Sequence, residues 1–180
     1  AEGDRRNVVD RYRYWTLEAV VADLDARRHP FHVAIENFEH DLNIGTVVRT
    51  ANAFLAAEVH VVGRRRWNRR GAMVTDRYLH VEHHPDVADF RRWLDEHGYT
   101  AVGVDNLPGS VPLERTELPE RACLVFGSEG PGLTEEMLAA IRTVHAGDSV
   151  IAASSTRRLL QHVAPLLRAG GATPNGPAPE

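Results

Sequence analysis

Residues 122–141 read ACLVFGSEGPGLTEEMLAAI. A short apolar run passes into a loop with three glycines, and an amphipathic stretch follows. Strand, glycine loop, helix is the unit that holds a ligand at the carboxyl end of a parallel strand. Thr134 suits the N-cap of that helix, and Glu135 and Glu136 suit its positive end. The loop carries Glu129 and no lysine. A phosphate loop wants a lysine followed by Ser or Thr, and a dinucleotide fingerprint wants another glycine spacing near the first strand. The loop therefore suits a ligand with a cationic or neutral portion, held by backbone groups that the glycines leave uncovered.

Outward from this unit, strands and helices alternate. Helices are expected at 14–29, 45–57, near 71–79, at 86–98 and at 134–143, and strands at 31–38, 58–63, 79–84, 99–105, 122–126 and 149–153. Residues 106–119 read as a Pro-containing connection too polar for core, 155–170 as a last helical stretch containing Pro165, and 171–180 as a disordered tail. The fold class is α/β, a mostly parallel sheet with helices on both faces. Residues 1–30 form an N-terminal helical extension to a domain spanning 31–170. Functional loops are then expected after strands 31–38, 99–105, 122–126 and 149–153.

The chain has 180 residues and a net charge of −4, so total charge names no polyanion partner. Its basic residues are all arginine, and five of them lie in RRRWNRRG: Arg64, Arg65, Arg66, Arg69 and Arg70, around Trp67. Arginine forks suit phosphate and a tryptophan suits a base, so the run is a candidate RNA contact; a solvated loop is the plain alternative. The single cysteine, Cys123, lies in an apolar run, reads as buried and structural, and fits a reducing cytoplasm. Neither a membrane span nor a signal peptide is read in the chain. His80, His83 and His84, with His60, invite a metal, but strand alternation splits His83 from His84, and no metal site is assigned.

A second motif, NIGTVVRTANAF (43–54), places Asn43 in a loop after a strand and Arg49 about one and a half turns into the next helix. This stretch is similar to the N-x-G-x-x-x-R first motif of the SpoU/TrmH branch of the SPOUT RNA 2′-O-methyltransferases. LVFGSEGPGL (124–133) resembles that family's second motif, in the right order. The resemblance covers about residues 30–150.

It implies a C-terminal trefoil knot, an obligate homodimer, S-adenosylmethionine as cofactor, and a ribose 2′-hydroxyl of tRNA or rRNA as acceptor, with no DNA partner. It also implies roles. Arg49 acts on the attacking hydroxyl, as base or through a phosphate, while Asn43 and Glu129 shape the acceptor pocket. The cofactor falls to Gly127, Gly130, Gly132 and Leu133 of the glycine loop, to Ile151 and Leu159, and to Asp105, Asn106 and Leu107 along the adenosine. The third motif departs from the family pattern: Arg158 stands in place of its Ser and Leu160 in place of its Asn. That departure motivates an alternative, a catalytically impaired member that binds structured RNA without turnover. A C-terminal stretch read in a shifted frame would explain the same departure.

Overall fold

The computed structural model describes residues 9–38, 43–108, 110–112, 115–144 and 150–152. After a 3₁₀ turn at Asp10–Tyr12 come α1 (Leu17–Asp25), β1 (His29–Asn37), α2 (Ile44–Ala53) and β2 (Ala56–Gly63). Two 3₁₀ turns, Arg69–Ala72 and Thr75–Arg77, lead to β3 (His80–His84), α3 (Val87–His97) and β4 (Thr100–Val104). The chain continues through β5 (Val111–Pro112), β6 (Ala122–Phe126), α4 (Glu135–Val144) and β7 (Val150–Ala152).

The strands form one seven-stranded sheet in the order β3-β2-β1-β6-β4-β7-β5, and every described pairing is parallel. From β1 the chain steps outward to β2 and β3, then crosses to β4 on the other side and inserts β6 between β1 and β4. The strand order therefore reverses beside β1 and β6, where a ligand crevice is expected outside the carboxyl ends.

Strand alternation sorts the core into two layers. Phe31, Val33, Ile35, Val59, Val61 and Leu124 pack with Ile44 and Val48 of α2 on one face. Ala34, Val62, Ala101, Cys123 and Val125 pack on the other with Phe90 and Leu94 of α3 and Met137 and Ile141 of α4. Cys123 is wholly buried, and burial pushes its thiol pKa far up, so it is a core side chain and no nucleophile. On the α3 face, burial drives the His32 pKa down to about 4 and that of His60 to about 2.

The expected strands are all present: β6 has the expected ends, and β1 to β4 have ends displaced by at most two residues. Helix α4 keeps its expected length, displaced by one residue, while the other expected helices are shorter than their apolar spacing suggests. The helix expected at 45–57 stops at Ala53, because Leu55 takes φ 53° and turns the chain into β2. The helix at 14–29 reduces to Leu17–Asp25, its Thr16 side chain accepting from Ala19 N as an N-cap. Near 71–79 there are two 3₁₀ turns instead of one helix, since Met73 and Val74 adopt φ 50° and 72°. The connection 106–119 is not merely polar. Val111 and Pro112 form edge strand β5 beside β7, and Leu118 packs against the core. The last helical stretch, the tail and any trefoil knot lie outside the described residues. No described helix is long and apolar enough to cross a membrane.

Candidate functional site

The last two residues of β1 organise the crevice. Being neighbours on a strand, Glu36 and Asn37 point to opposite faces. Glu36 is fully buried and reaches toward α4, where its carboxylate accepts the Thr134 N–H at 2.8 Å and the Thr134 hydroxyl at 2.6 Å. Burial pushes the Glu36 pKa up, the Thr134 bonds pull it down, and Glu136 and Asp105 push it up again. The net direction is upward. Asn37 faces the other way: its Nδ2 donates to the carbonyls of Arg64 at 2.5 Å and Arg66 at 3.1 Å, and its own carbonyl accepts from Arg64 N. One strand end thus fastens the glycine loop on one side and the arginine loop on the other.

The glycine loop closes on itself. Ser128 and Gly132 exchange two backbone hydrogen bonds of 3.0 Å across its neck. A Cβ on Gly127 would lie 2.0 Å from the Gly132 carbonyl carbon, so only glycine fits there. Gly132 has φ 75°, and a Cβ would meet Asp105 Oδ2 at 2.4 Å. Gly130 has φ 99° with open space around it, and Glu129 beside it is exposed. Leu133 is buried in the core while its N–H donates to Asp105 Oδ2 at 2.8 Å.

Asp105, expected along the adenosine pocket, ties two loops together. Its other oxygen accepts from Asn106 N at 2.7 Å, and together the two bonds lock the loop after β4 to the loop after β6. Ser110 folds the β4 loop further, accepting from Leu107 N and donating to the Asp105 carbonyl. Asn106 is exposed and Leu107 half-buried. Ile151 sits in β7 between Val104 and Val111. Leu159 lies outside the described residues.

Asn43 begins α2, its carbonyl accepting from Val47 N, and Arg49 is exposed further along that helix. The glycine of the first motif has a packing reason. A Cβ on Gly45 would lie 2.7 Å from Ala72 N and 2.8 Å from Gly71 Cα. The backbone of the arginine segment therefore lies directly on the first turn of α2. Arg64, Arg65, Arg66, Arg69 and Arg70 are all exposed. Trp67 is half-buried against the core, with the Arg69 guanidinium 5.5 Å over its ring. Arg69 also pairs with Asp76 at 3.4 Å.

Sequence reading passed over Glu36, Asn37 and Thr134 as a clamp. Glu36 and Asn37 did carry a signal: a carboxylate and an amide ending an otherwise apolar buried strand need partners. Asp105 was singled out, but for a different contact.

The SpoU rRNA Methylase family matches residues 30–146. A tRNA (guanosine(18)-2'-O)-methyltransferase of Escherichia coli is 27% identical over 128 residues, covering 69% of this chain and 56% of the relative. The chain thus spans little more than half the length of that relative. Among solved structures, the SpoU methyltransferase AviRb from Streptomyces viridochromogenes superposes with a TM-score of 0.63 at 18% identity, covering 79% of this chain and 62% of that one. An AdoMet-bound rRNA methyltransferase from Sinorhizobium meliloti superposes at 0.57 and 22% identity, covering 80% and 57%. With both motifs at the carboxyl ends of a parallel sheet, and with well over half of its length matched, the chain belongs to the SpoU rRNA Methylase family.

Proposed function

We propose that the protein transfers a methyl group from S-adenosylmethionine to a ribose 2′-hydroxyl of tRNA or rRNA. The observation that carries this reading is the clamp at the end of β1, which fastens a lysine-free glycine loop on one side of the strand end and an arginine loop on the other. The residues fit the cofactor. The loop after β6 is preshaped by Gly127, Gly130 and Gly132, tied by Asp105 to the loop after β4, and carries no basic side chain to repel a cation.

Bound S-adenosylmethionine supplies a methyl group activated by its sulfonium centre. The backbone of residues 127–133 and the loop 105–107 hold it and fix its orientation, and Ile151 and Leu159 complete the set by family resemblance. A ribose hydroxyl is a very weak acid, so the oxygen must be positioned and its growing negative charge compensated as the proton leaves. The Arg49 guanidinium supplies that compensation, directly or through an RNA phosphate, and the proton passes to water. Asn43 and Glu129 orient the ribose. The exposed arginines of 64–70 hold the RNA backbone.

The family resemblance also supports a C-terminal trefoil knot and a homodimer, and the lone buried Cys123 fits a reducing cytoplasm. Incubation with labelled cofactor and bulk tRNA or rRNA, then digestion to nucleosides, tests the reading. The expected product is a 2′-O-methylnucleoside. Arg49→Ala should lower turnover at least about 100-fold while S-adenosylhomocysteine affinity changes less than about twofold. Binding of NAD but not S-adenosylhomocysteine in calorimetry would defeat it.

A further inference from the structure

Three histidines from three neighbouring strands stand in a row beneath α3. His32 Nδ1 lies 2.8 Å from His60 Nε2, His60 Nδ1 lies 3.0 Å from His84 Nε2, and His84 Nδ1 lies 3.0 Å from Asp89 Oδ2. All three rings are buried, and Trp93 and Phe90 of α3 wall them in. Strand alternation separates His83, which turns to the Gly63 carbonyl instead, but the same alternation brings His84 beside His60. Two carboxylates join the row. Glu58 completes a three-ligand group with His32 and His60, and Glu82 completes one with His60 and His84; within each group the ligand atoms lie within 4.8 Å of one another.

We infer that His60 Nδ1, His84 Nε2 and a Glu82 carboxylate oxygen form a binding site for a divalent transition ion of the zinc type. Zinc bonds nitrogen at about 2.0–2.1 Å, so two nitrogens of a tetrahedral site stand about 3.3 Å apart. The His60–His84 separation of 3.0 Å and the His60–Glu82 separation of 3.7 Å bracket that value.

The hydrogen-bond directions choose between the two groups. A carboxylate only accepts, so the Asp89 bond places the His84 proton on Nδ1 and leaves a lone pair on Nε2. With the His60 proton on Nε2, donated to His32 Nδ1, the His60 Nδ1 lone pair faces the same point. Each ligating ring is then held from behind, His84 by a carboxylate and His60 by an imidazole, the arrangement that orients metal-binding histidines. In the other group, His32 Nε2 would carry the proton with no such carboxylate behind it among the described residues. Glu82 is 40% exposed, which leaves an entry path and a side for a water ligand, while His60 and His84 are 0% and 2% exposed. Two nitrogen ligands and one carboxylate suit zinc or cobalt better than calcium or magnesium. The ion would join β2 to the sheet-edge strand β3.

Tag-free protein, stripped with chelator, is titrated with Zn2+ by calorimetry and with Co2+ by visible absorption. The expected result is one ion per chain, a tetrahedral cobalt spectrum, and a higher melting temperature with zinc. Glu82→Gln, at a half-exposed position, should weaken binding at least about tenfold and abolish the melting shift. Asp89→Asn should weaken it about 10- to 100-fold by loosening His84. His80→Ala, an exposed histidine outside the site, and Glu58→Gln should each leave affinity within about twofold. The inference is overturned if no saturable one-to-one binding occurs, or if binding follows His80 or Glu58 instead of Glu82.

Discussion

Glu36 is a carboxyl buried with no cationic partner among the described residues, and its two acceptor bonds to Thr134 do not fully offset what burial costs. Its pKa in the fold is raised above the ordinary value of 4.5. The sign of its contribution follows from proton linkage: the folded state holds this proton more tightly than the unfolded chain. Its stability is therefore fully present below about pH 4.5 and is lost as pH rises through the folded pKa. Glu36→Gln cannot ionise, so the stability of this variant relative to wild type should rise from pH 4 to pH 7. Urea denaturation at several pH values measures it. A difference that stays flat with pH would show that Glu36 does not titrate differently in the fold. The single residue is a compromise, a carboxyl group retained under dehydration because it fixes the first turn of α4 and with it the glycine loop.

Between elements, α2 lies directly against the arginine segment. Gly45 allows backbone to meet backbone, and Ala72 N and Asn68 O stand within 2.9 Å of where a Cβ would be. Neither neighbour is a flexible side-chain end that yields cheaply. Gly45→Ala should therefore lift the segment off α2, with a loss of about 1–3 kcal/mol as expected of overpacking. Because the segment carries Arg69 and Arg70, RNA affinity should fall by more than cofactor affinity. Thermal melting and filter binding of tRNA check the two parts, and unchanged RNA affinity in a destabilised variant would separate the arginine segment from the site. The N-x-G spacing was legible in the sequence as a motif, and so was the alternation of apolar strands with amphipathic helices. The reason for the glycine was not legible, because it is a contact with residues 71 and 72 that spacing along one helix does not reveal. The same holds for the Glu36–Thr134 bonds, 98 residues apart, for the Asp105–Leu133 tie, and for a histidine row assembled from three strands. Helix ends were misjudged where non-glycine residues turn left-handed, at Leu55, Met73 and Val74. Local preference argues against that conformation and tertiary packing imposes it.

For the whole molecule, the net charge of −4 and the clustering of arginine pull against each other in the RNA binding proposed above. Long-range attraction to a polyanion is weak for an acidic protein, so affinity must come from a short local footprint. Among the described residues, the exposed positive charge at the carboxyl end of the sheet is concentrated in Arg64, Arg65, Arg66, Arg69 and Arg70, and Arg69 is already shared with Asp76. Each phosphate neutralised contributes about 0.7–0.9 to the slope of log affinity against log salt concentration. Five contacts give a slope of roughly −3.5 to −4.5, and Arg49 adds one more contact at most. A protein that binds through its whole surface would give a steeper line. Replacing Arg65 and Arg66 together by Ala should flatten the slope by roughly 1.4–1.8 and weaken binding at low salt, while S-adenosylhomocysteine binding stays unchanged. Titration of fluorescent tRNA at several salt concentrations provides the measurement. An unchanged slope in the double variant would move the RNA footprint off this loop and onto another part of the chain.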